Sequence, residues 1–301
     1  MDLIDWTNYA DEWVPFTPTQ RHDTYAFISP ATADLSGKSA LITGASQGIG
    51  KQTAIAFATA GCSRIAVASR SLDALSATAE EAKEAARKAG KPVPDVLPIR
   101  LDITSKDDVK AAANAVTAAF GDSLDILINN AAAIEPHAFV HESKTSDWLE
   151  VWDVNIKGTY LCCRHFLPSI LKSSLKTIVN LTSGMSIILF AGNSAYNTTK
   201  MALCRFTENL NAEYASQGLV TIACEPGLAR TELAGKMHPF LQTLPMDAAA
   251  LAPETLLWLV KERREWLSGR MVSARWDMEE LLTKKEEVTS KNLLKYRVAM
   301  G

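Results

Sequence analysis

The sequence has few of the features that would mark an exported, membrane-spanning or nucleic-acid-binding protein. Its five cysteines, Cys62, Cys162, Cys163, Cys204 and Cys224, form no CxxC pair or paired framework. Four fall in segments that read as regular structure, so buried free thiols in a reducing compartment are expected. No apolar run approaches the roughly 18–20 residues of a membrane span. The opening stretch MDLIDWTNYADEW is acidic and aromatic, without the basic and apolar regions of a signal peptide. A net charge of −3 argues against nucleic acid as the main partner. Histidine is scarce. His137 and His141 lie four apart, but no third ligand or HExxH pattern accompanies them, so no metal site is expected and a loop bordering a substrate mouth is. No internal repeat or low-complexity linker interrupts residues 36–275. What remains is a cytoplasmic globular protein. Its 301 residues, 47% hydrophobic and 22% charged, suffice for a sizeable core.

Short β-rich runs alternate with Ala-rich helical ones. Strands are expected at 39–43, 64–69, 95–102, 124–131, 176–183 and 220–227. Helices are expected after the glycine turn at 51–61 and at 72–90, 105–121, 146–171 and 196–217. Apolar strands alternating with helices imply parallel strands buried on both faces. Right-handed crossovers place helices on both sides. The expected fold is a single doubly wound, Rossmann-type α/β sheet over residues 36–276, binding ligand at the carboxyl ends of its strands. Residues 1–35 read as an N-terminal arm and 277–301 as a C-terminal tail helix. The weakly periodic stretch 228–260 fits a mobile substrate lid.

TGASQGIG, residues 43–50, follows the first strand and opens a helix. Gly44 permits a tight turn, Gly48 close approach of a pyrophosphate, and Gly50 packing of helix on strand. The helix start, with Ile49 in its first turn, offers free N–H groups to phosphate. The second strand ends in Ser69 and Arg70 with no acid. A carboxylate there would bind a ribose 2′-hydroxyl, whereas the planar arginine fork suits a 2′-phosphate, so NADP(H) is the expected cofactor. Ser46 can add a hydroxyl to that phosphate. Gln47 stands where a basic residue would have helped.

The stretch SAYNTTK puts Tyr196 and Lys200 one helical turn apart. Alone, this pair is either an activated proton donor or a surface pair without consequence. TGASQGIG, NNAA, VN, TS, YNTTK and PGLART stand in the order and spacing of the short-chain dehydrogenase/reductase family, which residues 37–275 resemble. RHDTYAFISP and SGRMVSARWDMEELL further resemble a filamentous-fungal subgroup. The resemblance implies that Tyr196 is the catalytic acid/base, that Lys200 lowers its pKa and holds the nicotinamide ribose, and that Ser183 orients the substrate. Asn155 would anchor a water in a proton relay. Asn129, Asn130 and Ala131 would stabilise the central strand and lie along the cofactor, Asp102 with Ile103 would sit near the adenine, and Pro226, Gly227 and Thr231 at the nicotinamide end. Two departures stand out: Ala132 replaces a usual glycine, and TS at 182–183 replaces the commoner SS. A homodimer or homotetramer built on helices 146–171 and 196–217 is also implied.

These groups suit hydride chemistry on a carbonyl or alcohol. A phenol titrating near ~10 needs help to exchange its proton at neutral pH. A serine hydroxyl on the same oxygen orients it and stabilises developing charge. The apolar run MSIILF, residues 185–190, is either a substrate wall or core packing. The expected function is an NADP(H)-dependent reductase or dehydrogenase of a fairly apolar small molecule. An epimerase, imine reductase or dehydratase on the same scaffold, or a non-catalytic NADP-binding regulatory protein, are the alternatives.

Overall fold

The computed structural model describes residues 15–298. Seven parallel strands form one sheet in the order β3-β2-β1-β4-β5-β6-β7. They are β1 Ser39–Thr43, β2 Arg64–Ser69, β3 Asp95–Arg100, β4 Ile126–Asn129, β5 Thr177–Leu181, β6 Val220–Glu225 and β7 Arg270–Ser273. The order reverses between β1 and β4, which opens a crevice at the carboxyl ends of those two strands. Successive residues of β1 serve opposite faces, as a pleated strand requires: Ala40 and Ile42 enter one core, Leu41 the other.

The first core takes in α1 Gly48–Thr59, α2 Leu72–Lys88 and α9 Leu251–Val260. The second takes in α3 Lys106–Phe120, α5 Thr159–Ile170 and the end of α6 Ser194–Tyr214. Ser105 caps α3, its side chain accepting from Asp108 N at 3.2 Å. All five cysteines are buried and unpaired.

The structure departs from the sequence reading at four places. The expected helix 146–171 is α4 Thr145–Trp152, a π-helical turn at Asp153–Gly158, then α5. β7 was not anticipated; four residues opening on an arginine carry too little apolar alternation to register. The stretch 228–260 is not one lid. Its last ten residues are α9, apolar on all sides and buried on the sheet, which is why they show no helical periodicity. Only α7 Glu232–Gly235, α8 Pro239–Thr243 and their connections lie over the crevice side. In place of a single tail helix stand α10 Met278–Thr283 and α11 Lys285–Ser290.

The described part of the arm is packed down. Ile28, Ala33 and Leu35 join the first core. Arg21 pairs with Asp277, Thr19 bonds Glu280, and Gln20 bridges to Trp276.

Candidate active site

At the crevice, β1 ends in a turn that only glycine fits. Gly44 has φ +65°, and a Cβ there would lie 2.8 Å from Asn130 Nδ2. A Cβ on Gly50 would come 2.5 Å from both that atom and Gly44 O. Asn130 binds the turn, donating to Thr43 O at 2.8 Å and Gly44 O at 3.1 Å. Gln47 precedes α1 without capping it. The N–H groups of Gly48, Ile49 and Gly50 therefore point, without side-chain partners among the described residues, where an anion would sit. This cradle fits a dinucleotide pyrophosphate. Across it, the Thr231 methyl is what a Cβ on Gly48 would meet, at 3.3 Å, and Gln47 hydrogen-bonds Glu232.

Arg70 is exposed at the end of β2 and makes no ion pair among the described residues. Ser69 Oγ accepts from Ser71 N at 3.2 Å. Asp102 accepts from Thr104 N at 2.9 Å and Thr104 Oγ1 at 2.8 Å, and its carboxyl is held below the usual range by those bonds, with Arg70 adding in the same direction. Ile103 is buried under Gly158. Asn129 reaches into the sheet, donating to Asn180 Oδ1 at 2.8 Å and Cys163 Sγ at 3.3 Å, and so ties the central strands together.

Tyr196 and Lys200 share a face of α6, and both are buried. Lys200 Nζ lies 5.5 Å from the Tyr196 ring centroid and donates to Leu181 O at 2.9 Å. Thr182 Oγ1 donates to Lys200 O at 2.8 Å, tying the helix to the end of β5. Ser183 follows, its Oγ accepting from Met185 N at 3.2 Å and facing the phenol. Asn155 sits in the π turn. Its Nδ2 donates to Ala133 O and Thr199 Oγ1, both at 3.0 Å, and Oδ1 accepts from Ala133 N at 2.8 Å. Both amide hydrogens are committed, leaving one lone pair for a water.

The electrostatics differ from the sequence expectation. Tyr196 is not made more acidic: burial pushes its phenol up to about 12, Glu225 and Glu135 add to the rise, and only Ser183 opposes it. Burial also brings Lys200 down to about 8. Removing both groups from water favours their neutral forms.

Pro226 and Gly227 leave β6 in a turn with φ +76° at the glycine, whose N–H donates to Glu225 at 2.7 Å. Thr231 caps α7 through Ala234 N at 3.1 Å. Around Tyr196 lie buried Val151, Met185, Phe190 and Leu241, with Trp148, Met237 and Phe240 against them. Of MSIILF, Met185 and Phe190 belong to this apolar cluster while Ile187 and Leu189 face outward. His137, Phe190 and His238 stack at its edge with ring centroids 4.5–6.0 Å apart. His141 stands apart, beside Glu142.

Sequence reasoning missed Glu135, Glu225, Asp247 and Arg275. Asp247 accepts from Leu228 N at 2.6 Å and Arg275 at 2.8 Å and bonds His22 Nδ1 at 2.7 Å. The only signal for Glu135 was a lone acid after the small and apolar stretch AAAI that follows the fourth strand.

A family model described as short chain dehydrogenase matches residues 38–241. The protein mpl6 of Monascus purpureus, named a short chain dehydrogenase, is 40% identical over 96% of this chain and 97% of its own length. The similarly named andI of Emericella variicolor is 38% identical over 97% and 98%. Among solved structures, a short-chain type dehydrogenase/reductase from Mycobacterium marinum superposes with TM-score 0.70 at 29% identity, over 80% of this chain and 94% of that one. A 3-ketoacyl-(acyl-carrier-protein) reductase from Brucella melitensis, complexed with NADH, matches with TM-score 0.70 at 25% identity, over 80% and 97%.

Proposed function

The chain belongs to the short-chain dehydrogenase/reductase family, with filamentous-fungal proteins among its relatives, and from that premise we propose that it is an NADP(H)-dependent oxidoreductase interconverting a carbonyl and an alcohol on a fairly apolar small molecule. The observation that carries this reading is Tyr196, a buried phenol biased by burial toward its protonated form, facing Ser183 and packed in an apolar cluster. The family uses a nicotinamide cofactor. The choice of NADP rests on exposed Arg70 and the lack of an acid beside it.

When bound, the dinucleotide supplies or accepts the hydride. In reduction, Tyr196 gives its phenolic proton to the carbonyl oxygen as charge develops there. Ser183 donates to the same oxygen and fixes its direction. Lys200, when charged, stabilises the phenolate left behind. Asn155 holds Ala133 and Thr199 in place and offers its remaining lone pair to a water of the proton path. Gly44 and Gly50 shape the turn that brings Gly48 and Ile49 to the pyrophosphate, and Ser46 and Gln47 stand toward the 2′-phosphate. Asp102 and Ile103 border the adenine, Asn130 and Ala131 line the path between, and Pro226, Gly227 and Thr231 close the nicotinamide end. Exposed Leu149, Tyr160 and Met201 on α4, α5 and α6 are where a second copy would pack in a homodimer or homotetramer.

The test follows NADPH consumption over ketones, quinones and aldehydes. Tyr196→Phe is expected to lose about 10²–10⁴-fold in kcat; full-rate turnover by that variant would remove Tyr196 as the acid. Arg70→Ala is expected to weaken NADPH far more than NADH, and equal weakening would take Arg70 off the 2′-phosphate.

A further inference from the structure

The first turn of α6 is capped from a distance. Its own N-cap residue, Asn193, makes no side-chain cap bond. Instead Glu135, 61 positions before Tyr196 and 4% exposed, reaches in from the loop after β4. Its Oε1 accepts from Ala195 N at 2.8 Å and its Oε2 from Tyr196 N at 3.1 Å. Its main-chain oxygen accepts from Asn193 Nδ2 at 3.1 Å, and Trp148 Nε1 donates to Ser194 Oγ at 3.1 Å in the same turn. Glu135 makes no ion pair among the described residues; the positive end of the helix is what faces its charge.

A cap takes the N–H groups of a helix's second and third residues, which here are Ala195 and Tyr196. This one grips the main chain of the residue that carries the phenol. We propose that Glu135 is a positioning residue for the reaction: through the main chain of Tyr196 it fixes where the phenol stands, and it sets a carboxylate at the start of the same helix. The charged and polar groups that face Tyr196 are Ser183 after β5, Glu225 on β6, Glu135 on this loop and Lys200 on its own helix. Two of the four are carboxylates, and Glu135 alone also holds the backbone of Tyr196.

The inference rests on Tyr196 being the acid, so Tyr196→Phe is run beside every variant. Glu135→Gln keeps an acceptor oxygen and drops the charge; Glu135→Ala drops both. Ultraviolet titration of the full-length chain, with the Tyr196→Phe trace subtracted, reads the phenol directly without substrate or cofactor. In Glu135→Gln the phenol is expected to titrate at lower pH than in the parent, with Tm close to it. Glu135→Ala is expected to lower kcat on the order of tenfold or more with the KM for NADPH unchanged, since small misplacements of a reacting group are costly. If Glu135→Ala does not fold, Glu135→Gln decides alone. A Glu135→Gln titration that superimposes on the parent overturns the proposal and leaves Glu135 a helix cap. Activity surviving in Tyr196→Phe would instead sink the underlying reading, whatever Glu135 does.

Discussion

Burial and neighbouring carboxylates push Tyr196 toward the protonated phenol, and burial alone pushes Lys200 toward the neutral amine. The two directions of the reaction then respond oppositely to pH. Reduction needs a protonated phenol and gains from a charged lysine. Its kcat/KM is expected to hold through neutrality and fall as pH rises past about 8, where Lys200 loses its proton. Alcohol oxidation needs the phenolate and should rise with pH. Steady-state profiles in both directions check this, and a reductive rate that climbs with pH counts against it. The glycine turn offers a second test. Gly50→Ala forces a methyl onto Gly44 O and Asn130 and should cost about 1–3 kcal/mol and weaken dinucleotide binding. Gly235→Ala, with open space around it, should be neutral or stabilising by up to about 1 kcal/mol. Calorimetry and fluorescence titration with NADPH separate the two. The roles of Gly44 and Gly50 were legible in TGASQGIG, because a strand, a turn and a helix leave little else for those positions to do. The raised proton affinity of Tyr196 was not legible, because it depends first on burial and then on carboxylates brought in from β6 and from the loop after β4.

At the scale of elements, α8 and α9 are close in sequence and differ in work. Leu257 on α9 is fully buried, and Leu257→Ala should cost about 2–5 kcal/mol. Phe240 on α8 packs against the Tyr196 cluster from the rim, and Phe240→Ala should chiefly raise the substrate KM. Hydrogen exchange should find residues 251–260 protected and 231–243 exchanging early. Slow exchange across both would return the whole stretch to the core. Strands β1, β2 and β6 were legible from apolar runs bounded by turn residues. β7 was not, since its place is set by pairing with β6. The π turn at 153–158 leaves no mark in the apolar spacing, which continues through it as if the helix were regular.

Across the whole molecule, the described part of the arm meets the segment after β7. Asp247 links the turn after β6 to Arg275 and to His22 of the arm, and its side chain is almost wholly buried. Asp247→Ala should cost about 3–5 kcal/mol, as expected when one partner of a buried ion pair is removed. Differential scanning calorimetry reads this loss, and a Tm unchanged from the parent would show the link to be idle. The sequence marked residues 1–35 and 277–301 as additions to a core and gave no hint that they meet, because neither carries a pairing signal of its own. Their meeting has a consequence for biosynthesis. Arg21 and Asp277 are separated by 256 positions, so at about 5–20 residues per second the arm waits on the order of tens of seconds for its partner to leave the ribosome. The sheet can assemble while translation continues, but this clasp closes only when its last-made strand of chain arrives.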